Sequence, residues 1–98
     1  MDKIDHIAIQ TNSIEESVKW YKKMFFCKIL FEDDTWALIE FKNTKIALVV
    51  PDQHPPHIAV KRDDIEQFGV PVKHRDGSES VYISSPDNNT FEFIRYPE

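Results

Sequence analysis

Two histidines and one glutamate are the residues of this sequence best suited to hold a metal ion. His6 opens the stretch HIAIQ, and His57 opens the stretch HIAV. Glu92 lies between two phenylalanines in TFEFI. Because the side chains of a strand alternate between its two faces, each of the three lies on the face opposite its apolar neighbours. Two imidazoles and one carboxylate leave coordination positions of a divalent ion open for a substrate.

Each of these residues also has an ordinary interpretation when it is taken alone. A single strand histidine or glutamate that faces away from the core is more often solvated or hydrogen-bonded than a metal ligand. The metal hypothesis depends on the conjunction, because the two histidines begin equivalent strands and Glu92 follows the same alternation. A local clip in QHPPH is less favourable, since residues three apart in a polyproline segment lie about 9 Å apart along its axis. We therefore expect His54 to be a linker residue and His57 to be a ligand.

Other candidate chemistry in the sequence is weaker. Glu40 falls on the same phase of its strand as the proposed ligands and could be a fourth ligand or a base, but a solvated glutamate is as common there. Lys45, Lys61 and Arg75 could hold an anionic group, although lysines at strand ends usually lie at the surface. With only 2 glycines, the chain has no GxxxxGK or GxGxxG phosphate loop. The stretch SPDNN is typical of a turn rather than a calcium loop.

The first half of the sequence predicts a strand, a helix and three further strands. IDHIAIQ alternates, with Ile7 and Ile9 on one face. In NSIEESVKWYKKMFF, Ser13 and Glu16 form a capping box, in which each side chain satisfies a free backbone N–H. The strands that follow are CKILFED, WALIEF and KIALVV. The apolar stripe of the helix comprises Ile14, Val18, Tyr21 and Phe25.

The second half repeats this order of elements. PDQHPP (51–56) is predicted to be a linker, because its prolines cannot serve a central strand. HIAVK is then a strand, DDIEQF a short helical turn, 70–74 a weak strand, and SVYIS and TFEFIRY two good strands. The sequence thus predicts an α+β domain of two tandem βαβββ modules, 1–50 and 57–98, that form a cupped mixed β-sheet with a truncated second helix.

The truncated helix leaves apolar side chains on the outer face of the second module without a long cover. Phe68 alone would cover this face poorly. Bare apolar faces usually become interfaces, so we expect either a second subunit or a tightly packed short turn to cover it. The side chains concerned are Ile58, Val60, Val81, Ile83, Phe91 and Phe93.

Composition limits the class of protein. A chain of 98 residues that is 41% hydrophobic can form one folded domain, and dimerisation is a common way of burying more surface at this size. A formal net charge of −5 without a basic run argues against a nucleic-acid partner. No apolar run approaches the roughly 18 residues of a membrane span. The single cysteine, Cys27, cannot form an intrachain disulfide and is expected to be a small buried apolar residue of a cytoplasmic protein.

Three stretches of the sequence resemble the vicinal oxygen chelate superfamily, the group of glyoxalases, bleomycin-resistance proteins and extradiol dioxygenases. IDHIAIQTNSIEESVKWYKKMF is similar to its opening strand and helix, HIAV to the start of its second module, and SVYISSPDNNTFEFI to its final hairpin. The resemblance covers nearly the whole chain and implies the glyoxalase/bleomycin-resistance fold. It also implies a divalent metal ion (Fe, Mn, Zn or Ni) as cofactor and a small molecule as substrate.

By this resemblance, His6, His57 and Glu92 match three metal-ligand positions. The fourth position, a glutamate or glutamine in many glyoxalases and epimerases, falls at Ala47, which cannot coordinate. This departure argues against ordinary glyoxalase or epimerase chemistry. Three-ligand members, the extradiol dioxygenases and the fosfomycin-modifying transferases, are more similar. For the second catalytic histidine of the dioxygenases, His74 is the nearest candidate.

The resemblance also points to substrate contacts and to an oligomeric state. Tyr82 and Ser80 match substrate-contacting positions of the fosfomycin enzymes. Phe26 and Asn88 replace glycines of the family pattern, and asparagine is the best non-glycine residue for a positive φ. Since modules of this superfamily can be exchanged between chains, a chain this short is expected to form a homodimer.

Two functions of different classes follow. The first is a small metal-dependent enzyme whose substrate chelates the ion through adjacent oxygens, with the ion as a Lewis acid and Tyr82 or Glu40 moving a proton. Its reaction would be of the lyase, isomerase, dioxygenase or thiol-transferase type. The alternative is a metal-free small-molecule binding protein of the bleomycin-resistance type, in which Trp36 and Tyr82 are stacking surfaces.

Overall fold

The computed structural model describes the whole chain, residues 1–98. The chain forms two compact units. The first unit comprises His6–Pro56, and the second unit comprises Met1–Asp5 together with His57–Glu98. The module boundaries at residues 50 and 57 stay a prediction from the sequence.

Eight strands, one α-helix and one 3₁₀ helix follow the expected order. In the first half they are β1 (Lys3–Gln10), α1 (Ile14–Met24), β2 (Lys28–Glu32), β3 (Trp36–Glu40) and β4 (Lys45–Val49). In the second half they are β5 (His57–Lys61), the 3₁₀ helix (Ile65–Phe68), β6 (Val72–Lys73), β7 (Glu79–Ser84) and β8 (Thr90–Arg95). The Pro-rich segment 51–56 contains neither helix nor strand, as expected. Neither helix has the length and apolar character needed to span a bilayer.

The helix α1 begins at the predicted cap, Ser13, but only one of the two hydrogen bonds of the expected capping box is formed. The Oγ of Ser13 accepts the N–H of Glu16 at 3.3 Å, as the capping box requires. The N–H of Ser13, however, donates to the Oγ1 of Thr11 at 3.2 Å, which satisfies it from the preceding segment. At the other end, the N–H of Phe25 donates to the carbonyl of Tyr21 at 3.0 Å and closes the last turn.

The apolar stripe of α1 packs on the sheet of the first unit. Ile14 and Val18 are buried, as predicted for the middle of the stripe. Phe25 lies past the last helical residue and is 43% exposed, with its ring against that of Phe41 at 5.5 Å. The buried cluster consists of Ile14, Val18, Ala37, Ile39 and Leu48.

The strands of the two units are paired in the same way. In the first unit the order is β2-β3-β4-β1, with β1 parallel to β4 and the remaining pairs antiparallel. In the second unit the order is β6-β7-β8-β5, with β5 parallel to β8 and the remaining pairs antiparallel. This shared topology confirms the predicted α+β class with tandem βαβββ modules and a mixed sheet. The second helix is reduced to Ile65–Phe68, as expected.

The 3₁₀ helix covers part of the outer face of the second unit. Ile65 is completely buried, and the ring of Phe68 lies 4.7 Å from that of Phe93. The guanidinium of Arg62 lies over both rings, at 5.1 and 5.0 Å from their centroids. A tightly packed short turn therefore covers part of this face. The sequence had predicted either such a turn or a second subunit. The apolar residues of this face are buried (Val81) or half-buried (Ile58, Val60, Ile83, Phe91 and Phe93).

The turn between β7 and β8 depends on one asparagine. Asn88 has φ 64°, and it is the one non-glycine residue with a positive φ. Its N–H donates to the carbonyl of Ser85 at 2.9 Å. Asparagine tolerates this left-handed conformation better than other side chains do, so the replacement of the glycine of the family pattern costs little.

Candidate metal centre

The second unit brings His57 and Glu92 into direct contact. The Nε2 of His57 lies 3.1 Å from the Oε1 of Glu92, and each side chain is only 4% exposed. Nitrogen and oxygen ligands lie about 2.0–2.2 Å from a zinc ion, so two neighbouring ligands lie about 3.3–3.6 Å apart in a tetrahedral site and about 2.8–3.1 Å apart in an octahedral one. The observed separation therefore fits both a hydrogen bond and one edge of a coordination polyhedron, and the two donor types suit a divalent ion.

The second oxygen of Glu92 is held by hydrogen-bond donors of β7. Ser80 is completely buried, and its Oγ donates to the Oε2 of Glu92 at 2.5 Å. The hydroxyl of Tyr82 donates to the same oxygen at 3.3 Å. The Nε2 of His74 lies 2.8 Å from the Oγ of Ser80 and 3.7 Å from Oε2. A buried carboxylate needs such donors to offset the loss of solvation.

The phenol of Tyr82 lies beside the pair of His57 and Glu92 and keeps its proton at neutral pH. Burial, followed by the charge of Glu92 and the hydrogen bond to it, raises the pKa of Tyr82 well above its usual value. At neutral pH the phenol therefore stays protonated and donates. The ring of Tyr82 stands perpendicular to the imidazole of His57, with centroids 5.6 Å apart, so it packs against one side of the imidazole.

The strand register relates this pair to two residues of the first unit. In β8, Glu92 lies opposite the residue two after His57. In β4, Ala47 lies opposite the residue two after His6. Ala47 is 5% exposed and carries no ligand atom. At the two equivalent positions, the first unit thus has a histidine, as the second unit does, but an alanine in place of the glutamate.

His6 directly follows a residue that is anchored in the second unit. Asp5 is 5% exposed, and its Oδ2 accepts the hydroxyl of Tyr96 at 2.6 Å. Burial of the phenol, followed by this hydrogen bond, raises the pKa of Tyr96. Within the first unit, His6 is half-buried and lies opposite Lys45 in the register of β1 on β4. Lys45 in turn lies opposite Glu40 in the register of β4 on β3. The side chains of this row lie on one face of the sheet.

The other predicted site residues of the first unit lie at its surface. Trp36 is 36% exposed and stacks on Phe31, with ring centroids 4.7 Å apart and an interplanar angle of 28°. Glu40 is exposed. His54 is also exposed, and its carbonyl accepts the side-chain amide of Gln10 at 2.9 Å. His54 therefore lies in the segment 51–56 as expected, whereas the stacking role of Trp36 stays a prediction.

The residues suggested for anion binding are engaged in different ways. The ammonium of Lys61 lies over the ring of Tyr96, 5.4 Å from its centroid. Arg75 is exposed on the turn after β6, and Lys45 pairs with its strand neighbours in the first unit. Anion binding by these residues stays a prediction.

The link from His74 to Ser80 is the feature that reasoning from the sequence missed. The family resemblance suggested His74 only as the nearest candidate for a second catalytic histidine, and Ser80 as a substrate contact. The signal that could have revealed the link is their placement on either side of the tight turn between β6 and β7, which brings flanking residues together. Which residues pair across that turn depends on the register of a strand only two residues long.

Solved structures with the same fold cover nearly the whole chain. The hypothetical protein BH1468 from Bacillus halodurans matches with a TM-score of 0.80 and 22% identity, over 99% of this chain and 96% of that one. A methylmalonyl-CoA epimerase variant from Streptomyces coelicolor, in complex with 2-nitronate-propionyl-CoA, matches with a TM-score of 0.77 and 14% identity, over 98% of each chain. A glyoxalase/bleomycin resistance protein/dioxygenase superfamily member from Vibrio splendidus matches with a TM-score of 0.74 and 11% identity, over 96% and 98%. These likenesses confirm the predicted fold.

The family is established by the sequence itself. The comparison with curated protein sequences returns no match. The family model described as "Glyoxalase/Bleomycin resistance protein/Dioxygenase superfamily" matches residues 3–69, which include α1 and the strands β1 to β5. With its βαβββ modules and this match over more than half of its length, the chain belongs to the glyoxalase/bleomycin resistance protein/dioxygenase superfamily.

Proposed function

We propose that the protein binds one divalent metal ion through His6, His57 and Glu92 and acts on a small molecule that chelates this ion through adjacent oxygens. Each of the three residues offers one ligand atom. The observation that carries the proposal is the contact of 3.1 Å between the buried side chains of His57 and Glu92. A glutamate is rarely this buried unless it is paired, and ligands of metal ions are typically held by outer hydrogen bonds as Glu92 is here.

Support for His6 comes from the repeat and from its neighbour. β1 begins three residues before His6, whereas β5 begins at His57, but the register of the two histidines is the same. His6 lies opposite the first residue of β4, and His57 lies opposite the first residue of β8. Asp5, which precedes it, is buried in the second unit and bonded to Tyr96. The chain connects His6 directly to that anchored residue. A His₂Glu donor set with open positions is typical of iron(II) oxygenases and is also suitable for manganese, zinc or nickel.

The residues around the proposed ion suggest how a reaction would proceed. When bound, the ion would stabilise negative charge that develops on a substrate oxygen. Tyr82, whose hydroxyl donates to the Oε2 of Glu92 over 3.3 Å, would turn this hydroxyl to the substrate as a hydrogen-bond donor or acid, since its raised pKa makes it a poor base at neutral pH. Glu40, which is exposed on the same sheet face as His6, would be the base. Trp36 would pack against the apolar part of the substrate. The proposal covers lyase, isomerase, dioxygenase and thiol-transfer reactions.

Equilibrium dialysis tests this function. The wild-type protein is dialysed against Mn²⁺, Zn²⁺ or Ni²⁺, or anaerobically against Fe²⁺, together with the variants His57→Ala, Glu92→Gln and His54→Ala. We expect one equivalent of metal per chain for the wild type and for His54→Ala, which removes an exposed imidazole. We expect loss of tight binding in the other two variants. Absence of metal from the wild type, or equal binding by His57→Ala, would contradict the proposal.

A second candidate function is supported by the stacked aromatic pair of the first unit. Phe31 and Trp36 are 42% and 36% exposed, so their rings can receive a planar ligand. In this case the protein would sequester a small molecule without metal, as the bleomycin-resistance type does. Quenching of tryptophan fluorescence by ligands, with and without a chelator, separates the two functions. Quenching that resists the chelator and disappears in Trp36→Phe would support sequestration.

We further propose that the protein is a homodimer and works in a reducing, cytoplasmic compartment. Large apolar side chains at the C-terminal end of α1 are exposed: Trp20 by 51% and Met24 by 55%. A second copy of the chain would remove such surface from water. The single cysteine, Cys27, is free and half-buried. Sedimentation equilibrium at several concentrations tests the dimer, and a monomer mass at all of them would contradict it.

A further inference from the structure

We infer that Ser80 and His74 are positioning residues of the proposed metal centre, because they form a directed hydrogen-bond relay that holds one oxygen of Glu92 and leaves the other for the ion. This inference rests on the proposed function, which assigns Glu92 as a ligand. It gives Ser80 a role different from the substrate contact that the sequence suggested. Neither residue coordinates the ion itself.

The direction of the relay follows from the number of protons available. The Oγ of Ser80 lies 2.5 Å from the Oε2 of Glu92 and 2.8 Å from the Nε2 of His74. A serine hydroxyl carries one proton, and an ionised carboxylate can only accept. Ser80 therefore donates to Glu92, and its lone pair accepts from His74. This requires that the Nε2 of His74 carries a proton.

Hydrogen bonds of the turn 74–78 hold the backbone of His74, the first residue of the relay. The N–H of His74 donates to the carbonyl of Ser78 at 2.8 Å, and the N–H of Gly77 donates to the carbonyl of His74 at 3.0 Å. The Oδ1 of Asp76 accepts the N–H and the hydroxyl of Ser78, at 2.9 and 2.6 Å. Gly77 has φ 88°, a conformation that suits glycine. These bonds close the turn between β6 and β7 and place His74 beside Ser80.

The two carboxylate oxygens of Glu92 therefore have different neighbours. Oε2 receives the short bond from Ser80 and the longer contact from Tyr82, whereas Oε1 faces His57. Fixing Oε2 keeps the carboxylate in one rotamer and presents Oε1 as a single ligand atom. Outer residues that orient ligands in this way typically contribute 10–100-fold to metal affinity.

Manganese affinity tests the relay through a matched set of variants. Dissociation constants for Mn²⁺ are measured by competition with a fluorescent chelator for the wild type, Ser80→Ala, His74→Ala, His74→Gln and His54→Ala. We expect Ser80→Ala and His74→Ala to bind about 10–100-fold more weakly. His74→Gln should recover most of the affinity, because its amide nitrogen can donate from about the position of Nε2. His54→Ala should bind like the wild type.

These outcomes separate positioning from general destabilisation. A purely structural role of His74 would lower the unfolding midpoint of His74→Ala without the recovery of Mn²⁺ affinity by glutamine. Unchanged Mn²⁺ affinity in both Ser80→Ala and His74→Ala would overturn the inference while leaving the proposed metal function intact.

The relay can also be tested without any metal. Long-range ¹⁵N–¹H spectra of the imidazoles in mildly alkaline buffer report which ring nitrogen carries the proton. The chain has 4 histidines, so the His74→Gln spectrum assigns the signal of His74 by its loss. We expect the Nε2–H tautomer for His74 in the wild type, and a shifted Nε2 signal in Ser80→Ala. An Nδ1–H tautomer would overturn the relay. If the wild type binds none of Mn²⁺, Zn²⁺, Ni²⁺ and Fe²⁺, the proposed function fails, and this spectrum still decides whether the relay exists.

Discussion

The Nε2 of His57 and the Oε1 of Glu92 lie 3.1 Å apart in the buried part of the second unit. This contact arises because β5 and β8 are paired in parallel, with His57 opposite Thr90 and Ala59 opposite Glu92. The two side chains lie on the same face of the sheet, two positions apart, and incline toward each other. A histidine and a carboxylate are thus presented together by rigid strands, which is the arrangement that favours binding of a metal ion without rearrangement.

Binding of metal should stabilise the fold. Mn²⁺ that binds the native chain and not the unfolded chain raises the free energy of unfolding by about 2.7 kcal/mol at a concentration 100 times its dissociation constant. Urea unfolding followed by circular dichroism measures this increase. Excess chelator should reverse it, and His57→Ala should show none of it. An equal increase in wild type and His57→Ala would mean that Mn²⁺ binds elsewhere.

The three tyrosines should resist ionisation in alkali. Burial raises the pKa of Tyr21, Tyr82 and Tyr96 above the ordinary value of 10.0. Because the folded state has the higher pKa, the tyrosines stabilise it fully below pH 10 and lose this contribution as the pH rises above it. Absorbance at the tyrosinate wavelength should therefore stay low at pH 10 and rise together with unfolding. Ionisation of all three near pH 10 in a folded protein would contradict the burial of the phenols.

Replacement of the helix cap should destabilise the first unit. The Oγ of Ser13 accepts the N–H of Glu16, so Ser13→Ala leaves a donor of the first turn without this partner. We expect a loss of about 1 kcal/mol in the free energy of unfolding, the usual cost of a lost cap. Ser13→Asp should retain the stability of the wild type, since aspartate caps equally well. Equal losses in Ser13→Ala and Ser13→Asp would show that the hydroxyl has another role.

The core of the first unit should be sensitive to a cavity at its centre. Ile39 on β3 is completely buried between α1 and its neighbouring strands, so Ile39→Ala should cost about 2–5 kcal/mol. Leu30 on β2 is 42% exposed, and Leu30→Ala should cost less than about 1 kcal/mol. Urea unfolding of both variants gives the two values. A comparable loss from both would contradict the packing described for this unit.

The sequence predicted the elements well because local patterns dominate in this chain. Alternation of apolar residues marked the strands, and Ser13 marked the start of α1 within one residue. The prolines of 51–56 marked a segment without regular structure. The phase of His57 and Glu92 relative to their apolar neighbours also placed both on one face of the sheet, since the period of a strand is two.

Features that depend on partners distant in sequence could not be predicted in the same way. The N–H of Ser13 bonds to Thr11 because the chain entering α1 turns back on itself, and a capping-box pattern does not encode this turn. The bond between Ser80 and Glu92 requires the register of β7 on β8, and that between His74 and Ser80 requires a tight turn. Sequence patterns give the face of a residue, but they do not give its partner on that face.

A crystal structure of the protein soaked in Mn²⁺, with data collected at the manganese absorption edge, tests whether His6, His57 and Glu92 hold one ion. We expect one strong anomalous peak per chain, about 2.0–2.3 Å from a nitrogen of His6, the Nε2 of His57 and the Oε1 of Glu92. The Oε2 of Glu92 should remain bonded to Ser80. An occupied manganese site on other residues, or a His57–Glu92 pair that keeps its hydrogen bond without a peak at saturating Mn²⁺, would contradict it.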